Sequence, residues 1–270
     1  MTFDIGFPVN ETKILSWKLN MENIGERLST IILAAGKGKR MKSDLAKVLH
    51  PLRGKPMLTY PVDIAQAVQS EKVVVVIGHQ AEEVKKAFKN KGLIFVEQRE
   101  QLGTGHAVLQ AADVLKHHKG TVLILCGDVP LLKVSTVYAL IDCHMMQKSV
   151  ITVLTTVLNN PFGYGRVIKN ETGDVLQIVE EKDAVARQKQ IKEINTGIYC
   201  MQSPFLFDAV AALDSENAQN EYYLTDIVKI ANQKNFKVRS FVADDPMEVM
   251  GINTAEDLQR AQQFLKKAMG

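Results

Sequence analysis

Lys37, Lys39, Arg40, Lys42 and Lys47 place five cations within eleven positions, beginning inside the glycine turn Gly36-Lys37-Gly38. A glycine turn lets a ligand come close to the main chain. Its free N–H groups form a nest for anions. Arg and Lys side chains neutralise phosphate, Arg through a two-pronged fork and Lys as a point charge. The chemistry that suits this pattern is binding of a nucleoside triphosphate; the bland alternative is a solvated basic loop. Two familiar phosphate loops are excluded. The dinucleotide fingerprint needs a third glycine where Met41 stands, and the P-loop pattern also requires glycine at Met41.

The loop must be delivered by a rigid element. Residues 30–35 are apolar and read as a buried strand. Further strands are expected at 72–77, 93–96, 121–126 and 150–157. Helices are expected at 57–69 and 81–89, from Thr104 as cap to about 115, and from Ser135 as cap to about 147. This alternation predicts an α/β fold: a mostly parallel sheet with helices on both faces. Strands that are apolar throughout suit burial on both sides. Ligands of such sheets sit beyond the carboxyl ends of the strands. The Gly36 loop, Gly78-His79 and Gly127-Asp128 all lie at such ends.

The second half changes character. Residues 165–169 and 175–179 flank the turn Asn170 to Asp174, a hairpin signal. A strand at 193–201 carries Asn195-Thr196-Gly197, and Ser203-Pro204 starts a helix with Pro at its first position. A helix at 225–233 and a strand at 236–242 follow, and Thr254 to Asp257 resembles a capping box before a last helix. This half is expected to complete the sheet and add a small β lobe. Residues 1–28 are expected to form an N-terminal appendage, with an amphipathic stretch around Ile14 to Leu19 and Trp17 packed on the domain, and residues 29–270 to form that domain.

The totals exclude several classes. At 270 residues, a hydrophobic content of 46% and a charged content of 23% match a globular chain, not a disordered one. The net charge of +3 gives no reason to expect a nucleic-acid partner. Cys126, Cys143 and Cys200 are odd in number and far apart, which predicts reduced thiols and a cytoplasmic location, with neither a disulfide framework nor a zinc site. No apolar run approaches a membrane span and no signal peptide is visible, so no membrane association is expected.

Leu33-Ala-Ala-Gly-Lys-Gly-x-Arg-Met41 with Lys47 resembles the signature of sugar-nucleotide pyrophosphorylases. The resemblance then narrows. Glu100 to Ala107, Gly127 to Leu131, Pro161 to Arg166, Val179 to Asp183, Glu193 to Gly197 and Glu221 to Asp226 carry further motifs in the same order. Together they resemble the uridylyltransferase domain of bacterial N-acetylglucosamine-1-phosphate uridylyltransferases, from about Thr30 to Gln263. Two positions depart from the pattern: Lys39 replaces the usual Thr or Ser, and Ala46 replaces the usual Pro. Family members usually continue into a left-handed β-helix that acetylates glucosamine 1-phosphate. The chain has no hexapeptide repeats, so neither acetyltransferase activity nor the trimer built on that domain is expected.

The resemblance implies a Rossmann-like nucleotidyltransferase fold with a sugar-side β lobe, and Mg²⁺-dependent transfer of UMP from UTP to N-acetylglucosamine 1-phosphate. It implies Arg40 and Lys47 as catalytic clamps on the phosphates. Leu33, Ala34, Ala35, Gly36, Lys47, Gln98, Gly103 and Thr104 would bind the nucleotide, with Gln98 and Gly103-Thr104 reading uracil. Gly165, Glu180 and Asn195 would hold the sugar, with Tyr223 and Thr225 nearby. Asp128 and Asn253 would hold Mg²⁺. Bland alternatives stand beside these: a turn or cap role for Asp128, helix capping for Asn253, a surface carboxylate for Glu180, a core position for Tyr223. His106 reads as a packed helix residue, His117 and His118 as exposed helix-end residues, and Cys126 as packing in a strand. Other sugar or base specificity, or a silent binding protein on the same fold, are the competing functions.

Overall fold

A computed structural model describes residues 27–267. The expectations for residues 1–26, including the packing of Trp17, lie outside the described residues. Strand β1 (Leu28–Ala34) is buried at all but one position. Two 3-10 turns, Lys39–Met41 and Lys47–Leu49, and a small ribbon of β2 (Pro51–Leu52) with β3 (Lys55–Pro56) follow. Next come α1 (Thr59–Ala67), β4 (Val73–Ile77), α2 (Ala81–Ala87), β5 (Ile94–Glu97), α3 (Thr104–Leu109), α4 (Ala112–Leu115) and β6 (Thr121–Cys126). Then come α5 (Val134–Gln147), β7 (Ile151–Val157), β8 (Arg166–Lys169), β9 (Val175–Val179) and α6 (Ala186–Lys189). The described chain closes with β10 (Glu193–Gln202), α7 (Ser203–Ala211), α8 (Ile227–Gln233), β11 (Val238–Val242) and α9 (Ala255–Lys267).

The main sheet has the order β11-β7-β10-β6-β1-β4-β5. Neighbours are parallel except those of β10, which runs against both β6 and β7. The protein is thus mixed α/β with a mostly parallel sheet. Every residue of β4, Val-Val-Val-Val-Ile, is buried, as expected of a strand covered on both faces. One face is packed by Val62, Val84 and Leu140 from α1, α2 and α5. The other is packed by Val108, Leu206 and Ile227 from α3, α7 and α8. Each such side chain contributes about 1.5–3 kcal/mol by leaving water. This two-sided core holds the sheet edge rigid where the loops emerge. Because β10 is reversed, its first residues lie at the same edge as the last residues of the parallel strands. β8 and β9 form the expected hairpin, which joins β10 through the pair Ile194–Arg166.

Three local expectations are corrected. The helix starting at Thr104 stops at Leu109 and resumes at Ala112, and Thr104 does not cap it: its hydroxyl accepts the Leu224 N–H at 3.0 Å. Ser135 lies inside a helix that begins at Val134, so it is not the cap. The buried Glu248 carboxylate serves that end, accepting the Lys133 N–H at 3.3 Å and the Thr136 hydroxyl at 2.7 Å. A carboxylate is favoured there by the exposed N–H groups of the first turn. His118 is buried, not exposed: its Nε2 lies 3.2 Å from the Thr121 carbonyl and its Nδ1 3.4 Å from Ser29 Oγ. His117 is exposed as expected.

A different histidine links stability to pH. His144 on α5 is buried, with Nδ1 3.0 Å from Thr152 Oγ1, and desolvation lowers its pKa to about 4. The unfolded chain therefore binds this proton at a pH where the folded chain does not. Stability is complete above the unfolded value near 6.5 and falls as pH drops from there toward about 4. Urea titrations at pH 7 and pH 5 should show a loss of about 2 kcal/mol from this group, absent in His144→Gln. Equal pH slopes for the two proteins would remove His144 as the cause.

Candidate active site

The basic loop is built against Lys47. Gly38 has φ +60°, and a Cβ there would lie 2.6 Å from the Lys47 Cβ, so only glycine lets the loop close onto the lysine. Met41 anchors the turn in the core. The segment before Lys47 is braced by Gln80, whose Oε1 accepts the Ala46 N–H at 2.5 Å and whose Nε2 donates to the Asp44 carbonyl at 2.5 Å. Proline at Ala46 would lack that N–H. The departure from the usual residue is therefore matched by a bond proline could not make. Lys37, Lys39, Arg40 and Lys42 are exposed at the mouth of the site.

Lys47 extends inward, with its side chain 13% exposed. Its Nζ donates to Asp128 Oδ2 and, at 2.9 Å, to Asn253 Oδ1. Arg40 Nη2 donates to the same Asn253 oxygen at 2.9 Å. Asp128 follows β6, which is tied to β1 by the Gly127 N–H on the Leu33 carbonyl at 2.9 Å. The Ile252 N–H on the Asp128 carbonyl, at 2.8 Å, brings in the distant segment carrying Asn253. Helix α9 is capped by others. Thr254 Oγ1 accepts from the Asp257 N–H, and Asp257 Oδ2 accepts from the N–H groups of Asn253 and Thr254. The Asn253 side-chain oxygen is thereby left for the cations. Asp128 and Asn253 converge as a carboxylate and an amide oxygen, a hard-donor pair suited to Mg²⁺, which uses one or two protein oxygens alongside phosphate. The Lys47 ammonium between them stands where a cation is favoured. Among the described residues, no cluster of three or more His, Cys, Asp or Glu has metal-binding geometry.

Beside these four residues opens a cleft of about 290 Å³. Leu33, Ala34, Ala35, Gly36, Lys47, Gln98, Gly103 and Thr104 all line it, as does Asp128. Gln98 is buried, and its amide nitrogen donates to the Gly103 carbonyl at 3.0 Å and lies 3.1 Å from His106 Nδ1. His106 thus braces Gln98 from α3. Gly103 has φ +114°, and a Cβ there would meet the main chain of Tyr222 at 2.6 Å. Gln101, Glu221 and Cys126 also line the cleft; Gln101 and Glu221 lie within the quoted motifs, but the sequence assigns none of the three a site role. Cys126 ends β6 packed against the core, as expected, and also reaches the cleft floor, its Sγ donating to the Gly197 carbonyl at 3.4 Å; burial pushes its thiol pKa up.

Gly165, Glu180 and Asn195 also come together. The Asn195 N–H donates to the Gly165 carbonyl at 2.9 Å. Both Glu180 carboxylate oxygens lie 3.5 Å from where a Gly165 Cβ would stand. Thr225 donates to Glu180 Oε1 at 3.1 Å, while burial raises the Glu180 pKa against that bond. Two residues beyond Asn195, the strand bulges: register slips between Asn195 and Ile198, and Gly197 takes φ +80°, where a Cβ would lie 2.9 Å from Cys126 Sγ. The bulge connects this cluster to the floor of the cleft. Tyr223 is buried, its hydroxyl donating to Asp183 Oδ2 at 3.2 Å, which matches the core alternative.

Residues 30–219 match the MobA-like NTP transferase domain family. The chain is 50% identical over 241 residues to the bifunctional protein GlmU of Geotalea daltonii, spanning 89% of this chain and 53% of that protein. It is 50% identical over 241 residues to the protein of the same name from Geobacter metallireducens, spanning 89% and 51%. The chain thus spans about half the length of the curated relatives it matches. A crystal structure of UDP-glucose pyrophosphorylase complexed with UDP-glucose superposes with a TM-score of 0.70 at 17% identity, covering 90% of this chain and 99% of that one. That likeness speaks to the fold.

Proposed function

Because the chain belongs to the MobA-like NTP transferase domain family and is a nucleotidyltransferase, we propose that it transfers UMP from UTP to N-acetylglucosamine 1-phosphate, releasing pyrophosphate. The observation that carries this reading is the convergence of Arg40, Lys47, Asp128 and Asn253 beside the cleft that all eight nucleotide-site residues line. The family resemblance of the ordered motifs from Leu33 to Asp226 supports uridine and the N-acetylated sugar over other bases and sugars.

An oxygen of the sugar phosphate attacks the α-phosphorus of UTP, the bond to the bridging oxygen breaks, and pyrophosphate departs with that electron pair. The attacking oxygen is already anionic, so no general base is needed and His106 keeps its bracing role. The residues act by position and charge. Lys47 and Arg40 neutralise phosphate oxygens, and main-chain N–H groups of the Ala35-Gly36 turn meet the triphosphate. Gln98, Gly103 and Thr104 face the base. Gly165, Glu180 and Asn195 accept from and orient the sugar hydroxyls and acetamide. Asp128 and Asn253 would hold Mg²⁺, which when bound offsets negative charge on the phosphates. Cys126, Cys143 and Cys200 are free thiols, in keeping with a reducing cytoplasm. Among the described residues, no helix is long and apolar enough to cross a membrane. Residues 29–270 would form the catalytic domain, though β1 already begins at Leu28.

The test is a panel of five nucleoside triphosphates against several sugar 1-phosphates, followed by pyrophosphate release with and without Mg²⁺. UTP with N-acetylglucosamine 1-phosphate is expected to turn over fastest, and chelation to stop it. Faster turnover of another sugar phosphate would overturn the substrate, and full activity under chelation would overturn the metal.

A further inference from the structure

Arg166 is among the largest fully buried side chains of the protein, yet it lies on the short strand β8 of the small lobe. Its side chain is 2% exposed and its partner Glu181 17%, with Nη2 donating to Glu181 Oε2 at 2.6 Å. Nη1 donates to the Tyr164 carbonyl. The same Glu181 oxygen accepts the Gly163 N–H at 3.2 Å, and Lys189 lies 3.9 Å from the other. The guanidinium Nε is buried with no partner among the described residues. A buried ion pair with an unmet donor is a poor way to gain stability, because desolvation offsets the attraction.

Its connections suggest another use. Tyr164 precedes Gly165 and Glu181 follows Glu180, so the two arms of the guanidinium hold the immediate neighbours of both residues. The Tyr164 hydroxyl reaches Met250 Sδ at 3.4 Å, just before the segment that carries Asn253. We propose that the Arg166–Glu181 pair is a positioning device for the sugar pocket: it fixes the gap between Gly165 and Glu180 and thereby sets affinity for the sugar phosphate, not for the nucleotide. Arg166 and Glu181 are positioning residues that act through their neighbours. The inference rests on the reading of Gly165, Glu180 and Asn195 as the sugar site.

The test compares Glu181→Gln and Arg166→Lys with Asn195→Ala in steady-state kinetics on the full chain. Glu181→Gln keeps the shape and loses the charge; Arg166→Lys keeps the charge and loses the fork. Both should raise KM for N-acetylglucosamine 1-phosphate about tenfold or more, since small misplacements of a binding group are costly. KM for UTP should stay within about twofold, a split that general loosening would not produce. Should Arg166→Lys fail to fold, the milder Glu181→Gln decides alone. A raised sugar KM in Asn195→Ala with wild-type values in the clamp variants would overturn the clamp and spare the sugar site. An unchanged sugar KM in Asn195→Ala as well would overturn the sugar site and the clamp with it. Equal rises in both KM values would overturn the positioning role.

Discussion

Asp128→Asn is expected to lower turnover by at least about 10²–10³-fold, the scale seen when one preorganised charge-stabilising group is lost. The side chain has little structural duty to lose. Its main-chain carbonyl keeps the Ile252 N–H at 2.8 Å whatever the side chain, so the segment bearing Asn253 stays attached. What changes is charge at the junction. Asp128 Oδ2 is the carboxylate facing Lys47, and the other oxygen that Lys47 meets is the neutral Asn253 amide. Without it, the proposed Mg²⁺ site loses its carboxylate, and the Lys47 ammonium loses its charged partner while keeping the Asn253 oxygen. Pyrophosphate release and a thermal melt should be read on the same sample. A cooperative melt within a few degrees of wild type, with turnover lost, assigns the effect to chemistry. Wild-type turnover would remove Asp128 from the proposed metal site.

Gly103→Ala should damage both fold and binding, whereas Gly36→Ala should damage binding alone. At Gly103 the backbone has φ +114°, and the new Cβ would meet Tyr222 O at 2.6 Å and Tyr222 N at 2.8 Å. Tyr222 cannot simply step aside. Its N–H donates to the Leu102 carbonyl at 2.7 Å and its carbonyl accepts the Gly105 N–H at 2.8 Å. Strain of this type costs roughly 1–3 kcal/mol. The displaced Gly103 carbonyl would also release the Gln98 amide held at 3.0 Å, so KM for UTP should rise about tenfold or more. At Gly36 a Cβ meets nothing within 4 Å, so its stability should match wild type. Any loss of UTP affinity there would come from a methyl group pressing on the ligand. Urea melts and UTP titrations on both variants separate the cases. A stable Gly103→Ala with normal UTP affinity would sink the account of that turn, and normal affinity in Gly36→Ala would place the triphosphate elsewhere.

Local patterns made much of the fold legible. An apolar strand ending in Gly36 and a run of cations announce an anion loop because both strand burial and glycine geometry are properties of a few adjacent residues. The reversal of β10 was not legible, since strand direction depends on which neighbours are met and leaves no mark on periodicity. Thr104 and Ser135 looked like caps by residue type alone. Leu224 and Glu248 decide their surroundings, and each comes from more than a hundred residues away. The pairing of Asp128 with Asn253 rested on resemblance for the same reason. Arg166 and Glu181 sat unremarked within motifs, because nothing in a sequence distinguishes a buried fork from an exposed one.

The ten residues of β10 have a mechanical consequence. One end, Tyr199 to Gln202, is bonded to β6 beneath the cleft, and the other, at Ile194, carries the hairpin of the proposed sugar site. The cleft and the proposed sugar site therefore share one strand, continuous but for the bulge between Asn195 and Ile198. Motions that admit substrates and free products are then expected in the flanking loops, which bend against this strand. Amide exchange should accordingly find slow protons along β10 on both sides of its bulge, and fast ones only in the loops that overhang it.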